Sequence, residues 1–272
     1  VEHFDKMVER AMASLEKTGQ LENTIVVITS DHGMPFPRAK ASLYDAGAHV
    51  PLAIRWPKGI VKSGRTYTGL INLSDLAPTF LEASGVAVPK MMTASSLLSV
   101  LENKSKKQRD RAFIAMERHD GCRKGGKGYP SRAIRTADYL YIQNIEPNRW
   151  PAGNPDREFC ARYIPFGEVD SSPTKSLLMD NKDKPEFKQF YDLAFAKRPA
   201  EELYNVNEDP GQLINLSTKP KYATIRKKLA QQLKDHLIRT KDPRALGLDA
   251  PWDYYPYYGL RRNKNWQVDP KP

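Results

Sequence analysis

The sequence predicts an α/β chain that gives way, near residue 110, to a smaller α+β unit with an antiparallel sheet. Three observations predict it. A β-branched run, Thr24-Ile25-Val26-Val27-Ile28, is too short for a typical helix and leads straight into Asp31-His32-Gly33, as a central strand of an open sheet would. Ahead of it, Phe4, Met7, Val8, Ala11 and Leu15 recur at helical spacing. Beyond residue 110 the pattern becomes Ala112-Phe113-Ile114-Ala115-Met116, then Ala133-Ile134-Arg135 and Tyr139-Leu140-Tyr141-Ile142 around a short Thr136-Ala137-Asp138 connection, which reads as a hairpin.

The first helix should end at Gly19 and lay its apolar stripe on the sheet. The following run reads as a central parallel strand, and open α/β sheets place their chemistry just outside the carboxyl ends of such strands. An aspartate and an imidazole side by side there, before a residue that allows a tight turn, suit a metal site. The structural alternative is a turn capped by Asp31 with His32 packed. A loop and a second strand follow, then helices near 75–84 and 95–103. In Asn72-Leu73-Ser74-Asp75-Leu76-Ala77-Pro78-Thr79, Ser74 or Asp75 would cap the helix and Pro78 would sit in its first turn, so Asp75 is read as structural. Lys104 to Arg111 reads as an exposed linker between domains 1–110 and 111–272. Residues 144–200 form a long, irregular, aromatic-rich excursion, a candidate pocket wall because a bare connector is rarely so long. Between Tyr222 and Ile238, Ile225, Leu229, Leu233 and Leu237 recur at helical spacing, a helix to cover the small sheet.

At 272 residues the chain can bury a sizeable core. No apolar run approaches the length of a membrane span, and two cysteines make no disulfide framework. The net charge of +11 is uneven, with 14 basic against 11 acidic residues in 1–110 and 29 against 21 beyond. The basic second half suits a polyanionic partner. It carries no RNP, zinc-finger or helix-turn-helix pattern, so neither nucleic acid nor membrane is the expected partner.

Residues 23–57, NTIVVITSDHGMPFPRAKASLYDAGAHVPLAIRWP, closely resemble the second metal-binding segment of the type I sulfatases, in the alkaline phosphatase superfamily. The Met34-Pro35-Phe36-Pro37 spacer and Ser42-Leu43-Tyr44 look most like the heparan N-sulfatase (sulfamidase) branch and its bacterial relatives. Gly19 with Asn23-Thr24, the segment around Asp75, and Glu202-Leu203-Tyr204-Asn205 with Glu208-Asp209-Pro210-Gly211 and Asn215-Leu216 resemble other stretches of that family. The resemblance implies the C-terminal part of an alkaline-phosphatase-like α/β/α sandwich followed by a smaller α+β subdomain. It implies that Asp31 and His32 bind a divalent cation, Ca2+ with Mg2+ possible, and that Lys40 is catalytic and touches the sulfate. Arg118 and His119, in a His-containing element that the sulfamidase-like branch shares, are the further candidates for binding sugar or sulfate, with an ordinary loop as the alternative. His49 is read as structural or supporting. A sulfated saccharide, a glycosaminoglycan with heparan N-sulfate as first guess, is the implied substrate, and the compartment is periplasmic or extracellular. The oligomeric state is left open.

The family also needs a Cys or Ser in C/S-x-P-x-R, matured to formylglycine, and an earlier Asp-Asp pair. Neither Cys122 nor Cys160 begins that motif, and Tyr129-Pro130-Ser131-Arg132 mimics only its tail. The expectation is a C-terminal portion whose other half holds the nucleophile, inactive by itself. Two rivals stand beside it. One is a zinc phosphodiesterase or phosphatase of the same superfamily, where Ser-Asp-His-Gly-Met also occurs; the other is a non-catalytic polyanion-binding module.

Overall fold

The computed structural model describes residues 1–105 and 108–271. Lys106 and Lys107, inside the expected linker, lie outside the described residues. Contacts sort the chain into two units, Val1–Ser30 with Pro51–Asp110, and Asp31–Val50 with Arg111–Pro272. This division departs from the expected domains, 1–110 and 111–272, in one segment: residues 31–50 go with the second unit.

In the first unit, α1 (Glu2–Lys17) ends where Gly19 turns left-handed at φ 67°. There Gly19 N–H reaches the Glu16 carbonyl and Gln20 N–H the Leu15 carbonyl, both at 2.9 Å, a Schellman closure. The apolar stripe is present, yet no residue of α1 is buried and Phe4 is 57% exposed. The sheet of this unit is narrow. Its two strands, β1 (Val26–Thr29) and the one that follows the 31–50 segment, have four residues each. That segment contains one short helix, α2 (Asp45–Ala48), before β2 (Leu52–Arg55). The expected central parallel strand is corrected here: β1 pairs with β2 antiparallel, from Val26 opposite Arg55 to Thr29 opposite Leu52, and is only half-buried. A parallel pair needs a crossover that carries the chain back to the starting end. Residues 31–50 instead leave β1 and return at the same end, where Thr29 Oγ1 donates to the Pro51 carbonyl at 2.8 Å.

Helix α3 (Leu76–Ala83) has Asp75 at its N-cap position, as expected, but without a side-chain cap bond there; the capping box belongs to the short 3-10 turn Leu73–Asp75 that leads into it, with Asn72 as its cap. Asp75 is buried, accepts from Asn72 N–H (2.8 Å) and Ser95 N–H (3.1 Å), and pairs with Arg109 at 2.5 Å. The helix expected over 95–103 shrinks to α4 (Leu98–Leu101). Its first residues are tied to α3 instead, Ser95 through Asp75 and Leu97 N–H through Thr79 Oγ1 (2.7 Å), and Asn103 at φ 56° stops it.

The second unit is built on four antiparallel strands in the order β3 (Arg111–Met116), β4 (Ser131–Thr136), β5 (Tyr139–Asn144) and, after an excursion, β6 (Glu201–Asn205). The expected hairpin is β4–β5, its connection closed by Tyr139 N–H on Thr136 Oγ1 at 3.1 Å. The excursion carries two helices, α5 (Pro173–Asp180) and α6 (Pro185–Phe195), each with proline at its start, and is less irregular than its composition implied. It has its own apolar cluster of Phe166, Val169, Leu178, Ala194 and Phe195, with Phe166 stacked on Phe195 at 4.5 Å. Side chains alternate across the sheet. Ile134, Tyr141 and Leu203 face α7 (Ala223–Arg239) through Leu229, Leu233 and Leu237, each worth about 1.5–3 kcal/mol on full burial. On the other side, Ala133, Leu140, Ile142 and Tyr204 pack against Leu43 and Tyr44. The 31–50 segment is therefore a covering layer of this sheet, which is why it belongs to the second unit. Among the described residues no helix is long and apolar enough to cross a membrane.

Candidate active site

The site is built on the 31–50 loop, and that loop is held in a conformation few sequences allow. Gly33 donates to the Gly47 carbonyl at 3.0 Å, and a Cβ on Gly33 would stand 1.9 Å from the Ala46 carbonyl oxygen, so only glycine fits. Lys40 N–H folds back on the Met34 carbonyl at 3.0 Å. Arg38 and Ala41 on either side of it take left-handed φ values of 60° and 58°, costly for residues with a Cβ. Three residues sustain this strain. Arg38 lies 3.8 Å over the Tyr44 ring and donates to the Gln212 carbonyl at 2.5 Å. Tyr44 Oη donates to Glu202 Oε2 at 2.7 Å. Asp45 takes Arg135 in a two-pronged pair at 2.9 and 3.0 Å, and its N–H donates to Gln212 Oε1 at 2.9 Å.

Buried Glu202 is the centre of this anchoring. It also accepts from Tyr204 Oη at 2.5 Å and from Asn144 Nδ2 at 2.7 Å, so both its oxygens are satisfied. Beside it lies a cavity of about 50 Å³ whose lining includes Lys40, Tyr44, Tyr129, Asn144, Glu168 and Glu202. The Tyr129 hydroxyl is buried there and has no hydrogen-bond partner among the described residues.

Lys40 points its ammonium at Asp170, Nζ to Oδ2 2.9 Å, in a pair that is partly open to solvent. Two residues earlier, buried Glu168 accepts from His119 Nδ1 at 2.5 Å and from Arg123 Nη1 at 2.8 Å. Arg123 spends its other donors on the Trp150 and Pro151 carbonyls, both at 2.7 Å. The hydrogen bond that His119 donates to Glu168, and secondarily the Glu168 charge, raises the His119 pKa against the opposing effect of burial. For Glu168, burial pushes upward, but the Arg123 charge and the His119 hydrogen bond outweigh it and hold the carboxyl below its ordinary value. The hydrogen bond from Lys40, helped by the charges of Lys40, Arg162 and His119, holds Asp170 low as well. Arg162 in turn pairs with Asp120 at 2.5 Å and donates to the Gly167 carbonyl.

Two of the three expected substrate-binding residues, Lys40 and His119, thus meet at a pair of carboxylates from the excursion. Arg118 is placed differently. Its guanidinium is committed to the carbonyls of Tyr255 (2.7 Å), Pro256 (3.1 Å) and Gly126 (3.3 Å), bracing the C-terminal segment. Glu168, Asp170, Arg123 and Arg162 were not among the sequence candidates. Asp170 stands 130 positions from Lys40, and no local pattern links them.

Asp31 and His32 follow directly on β1. Asp31 is 86% exposed, and its Oδ2 lies 3.6 Å from His32 Nε2. Two ligand atoms, each about 2.0–2.4 Å from a shared ion, stand roughly 3–4 Å apart at ordinary coordination angles. His32 Nδ1 lies 2.7 Å from the Gly33 carbonyl, which can only accept, so Nδ1 carries a proton and the ring presents Nε2 towards Asp31. This is the orientation that metal-bound histidines take from an outer carbonyl. The pair fits as two members of a metal's ligand set. Among the described residues no group of three or more His, Cys, Asp or Glu is gathered for a metal.

Residues 1–86 match the family model described as Sulfatase. Among curated proteins, an ulvan-active sulfatase of Formosa agariphila is 29% identical over 235 residues, covering 85% of this chain and 35% of that protein. The human N-sulphoglucosamine sulphohydrolase is 27% identical over 255 residues, covering 89% and 47%. Among solved structures, that of BT4656 in complex with its substrate D-glucosamine-2-N,6-O-disulfate superposes with a TM-score of 0.60 at 27% identity, covering 88% of this chain and 39% of that one. The chain spans 35–47% of the length of these two curated relatives. With the family model on its first 86 residues and sulfatase relatives along most of its length, the chain is similar to the sulfatases and has the alkaline-phosphatase-like fold of those enzymes.

Proposed function

We propose that this chain supplies the sulfate-gripping side of a metal-dependent sulfuric ester or sulfamate hydrolase that acts on a sulfated sugar. A glycosaminoglycan is the proposed substrate class, with heparan N-sulfate the first to test. The observation that carries the reading is the meeting of Lys40 and His119, from separate loops, at Asp170 and Glu168. The names of the human relative and of the BT4656 ligand support a glucosamine-type substrate. A sulfate ester or sulfamate monoanion spreads its charge over three oxygens. The Lys40 ammonium and a His119 imidazolium, kept charged by Glu168, offer donors to it in a partly enclosed setting where such contacts are stronger than in water.

Asp31 and His32 would hold a divalent cation, Ca2+ or Mg2+, which when bound supplies Lewis-acid stabilisation of charge on the sulfuryl oxygens. No C/S-x-P-x-R motif occurs in these 272 residues, so the formylglycine is assigned to a segment outside them. The proposed compartment is periplasmic or extracellular.

Two measurements test this reading. The 272-residue chain by itself should give no turnover of a sulfate ester or sulfamate, whereas the protein that also contains the nucleophile should hydrolyse them in preference to a phosphodiester. Metal-dependent turnover by the chain alone, or a preference for the phosphodiester, refutes it. In the competent protein, Asp31→Ala should lower bound metal, measured by elemental analysis, together with activity. His32→Ala should do less if the ion is calcium, which prefers oxygen, and more if it is zinc. Full metal occupancy in Asp31→Ala would remove the basis of the metal assignment.

A further inference from the structure

We propose that Asp170 is a positioning residue for Lys40, fixing the ammonium group through one hydrogen bond so that its remaining N–H donors face the substrate sulfate. The inference rests on the reading of Lys40 given above and extends it to a residue on the excursion.

A lysine carries three donors on a flexible four-carbon stem, so a free lysine samples many rotamers and meets an anion in few of them. A carboxylate that takes one donor removes most of that freedom and leaves two donors to aim. Asp170 can do this only if it is itself immobile, and the structure makes it so. Lys175, buried in the first turn of α5, places its three donors on the carbonyls of Pro165 (2.8 Å), Phe166 (3.0 Å) and Val169 (2.8 Å). That clamp closes the segment leading to Asp170. Val169 sinks into the Phe166–Phe195 cluster, and Glu168 is locked by Arg123. Asp170 therefore leaves a rigid ridge with its neighbours fixed, while its own carboxylate stays about one-third exposed and directed at Lys40.

The surroundings favour guidance over neutralisation. Arg162 and His119 also act on Asp170 electrostatically, so its negative charge is shared among three cations. Lys40 is left able to attract a second anion. On the other side of Lys40, its own loop is pinned through Tyr44 and Asp45. Both ends of the lysine are thus fixed, the backbone by the sheet and the ammonium by the ridge.

The test is a double-mutant cycle on the catalytically competent protein, comparing Lys40→Ala, Asp170→Ala and the pair by steady-state kinetics, with thermal melts beside them. Asp170→Ala should lower kcat about tenfold or more while KM changes little, since orientation and not binding is lost. The double variant should be no slower than Lys40→Ala alone, because Asp170 acts through Lys40. Asp170→Asn, whose amide oxygen still accepts from the ammonium, should recover part of the lost kcat. If Lys40→Ala is strongly impaired but Asp170→Ala is near normal, or the two losses multiply, Asp170 does not position Lys40 and this inference falls alone. If Lys40→Ala itself turns over normally, the sulfate role of Lys40 falls and the inference falls with it. An Asp170→Ala loss that tracks a lowered melting temperature, with no rescue by Asp170→Asn, marks a structural role and overturns it.

Discussion

Lys40→Ala should remove about 2–4 kcal/mol of transition-state stabilisation, the usual loss when one preorganised donor to developing charge is deleted. In kcat/KM that is a fall of roughly 30- to 900-fold. In the proposed role the ammonium would contact sulfate in both ground and transition states, so kcat should fall and KM should rise. The fold should barely respond. The Lys40–Asp170 pair is partly solvated, and such pairs contribute about 0–1 kcal/mol to stability. The loop itself is held by Arg38, Tyr44 and Asp45, none of which depends on the lysine. Lys40→Arg should keep part of the activity, because the guanidinium preserves the charge but must meet Asp170 as a flat fork instead of a compact head. Steady-state kinetics on the competent protein, beside a thermal melt, decide it. Near-normal activity in Lys40→Ala, or a melt many degrees lower, would make the lysine incidental or structural.

How much of this was legible follows from how far each interaction reaches along the chain. Gly19 as a helix stop, the β4–β5 hairpin and the leucine ladder of α7 are set by neighbours within a few positions, where periodicity and turn chemistry act. Asp31, His32 and Lys40 were visible because one short loop carries all three. Strand direction was not. The run from Val26 to Thr29 is equally good β-former in a parallel or an antiparallel pair, and only the return path of residues 31–50 decides between them. Glu168 and Asp170 were hidden for another reason. Nothing local separates them from the other acidic residues of the excursion, and they acquire meaning only when folding sets them against His119, Arg123 and Lys40. Arg118 shows the converse: adjacent to His119 in sequence, it turns to a different set of carbonyls in the fold.

Glu168→Ala should be the most destabilising single change in this cluster, at about 3–5 kcal/mol, because it strips a buried guanidinium of its counter-ion. The Arg123 and Glu168 side chains are each 3% exposed, so water cannot take the place of the missing carboxylate. Arg123 would keep its bonds to the Trp150 and Pro151 carbonyls, but these offset only part of an unpaired charge. The same residue sets a pH window. The carboxyl of Glu168 is held below its ordinary value, so its contribution is present above the usual glutamate pKa of about 4.3 and is lost as pH falls through the lowered folded value. His119 is shifted upward, so its contribution is complete below the unfolded pKa of about 6.5 and is lost as pH rises through the raised folded value. The pair should therefore stabilise the unit most between roughly pH 4.5 and 6.5, with separate acid and alkaline limbs. Affinity for an anionic sugar should follow the alkaline limb, since in the proposed role the imidazolium is what the sugar would meet. Glu168→Gln keeps the shape and removes the charge, so it should abolish that limb in both stability and KM while costing less than Glu168→Ala. Denaturant unfolding across pH 4–9, with KM measured in parallel, is the check. An unchanged alkaline limb in Glu168→Gln would show that His119 is not held as an imidazolium by Glu168, and a loss below about 1 kcal/mol in Glu168→Ala would show that Arg123 does not depend on it.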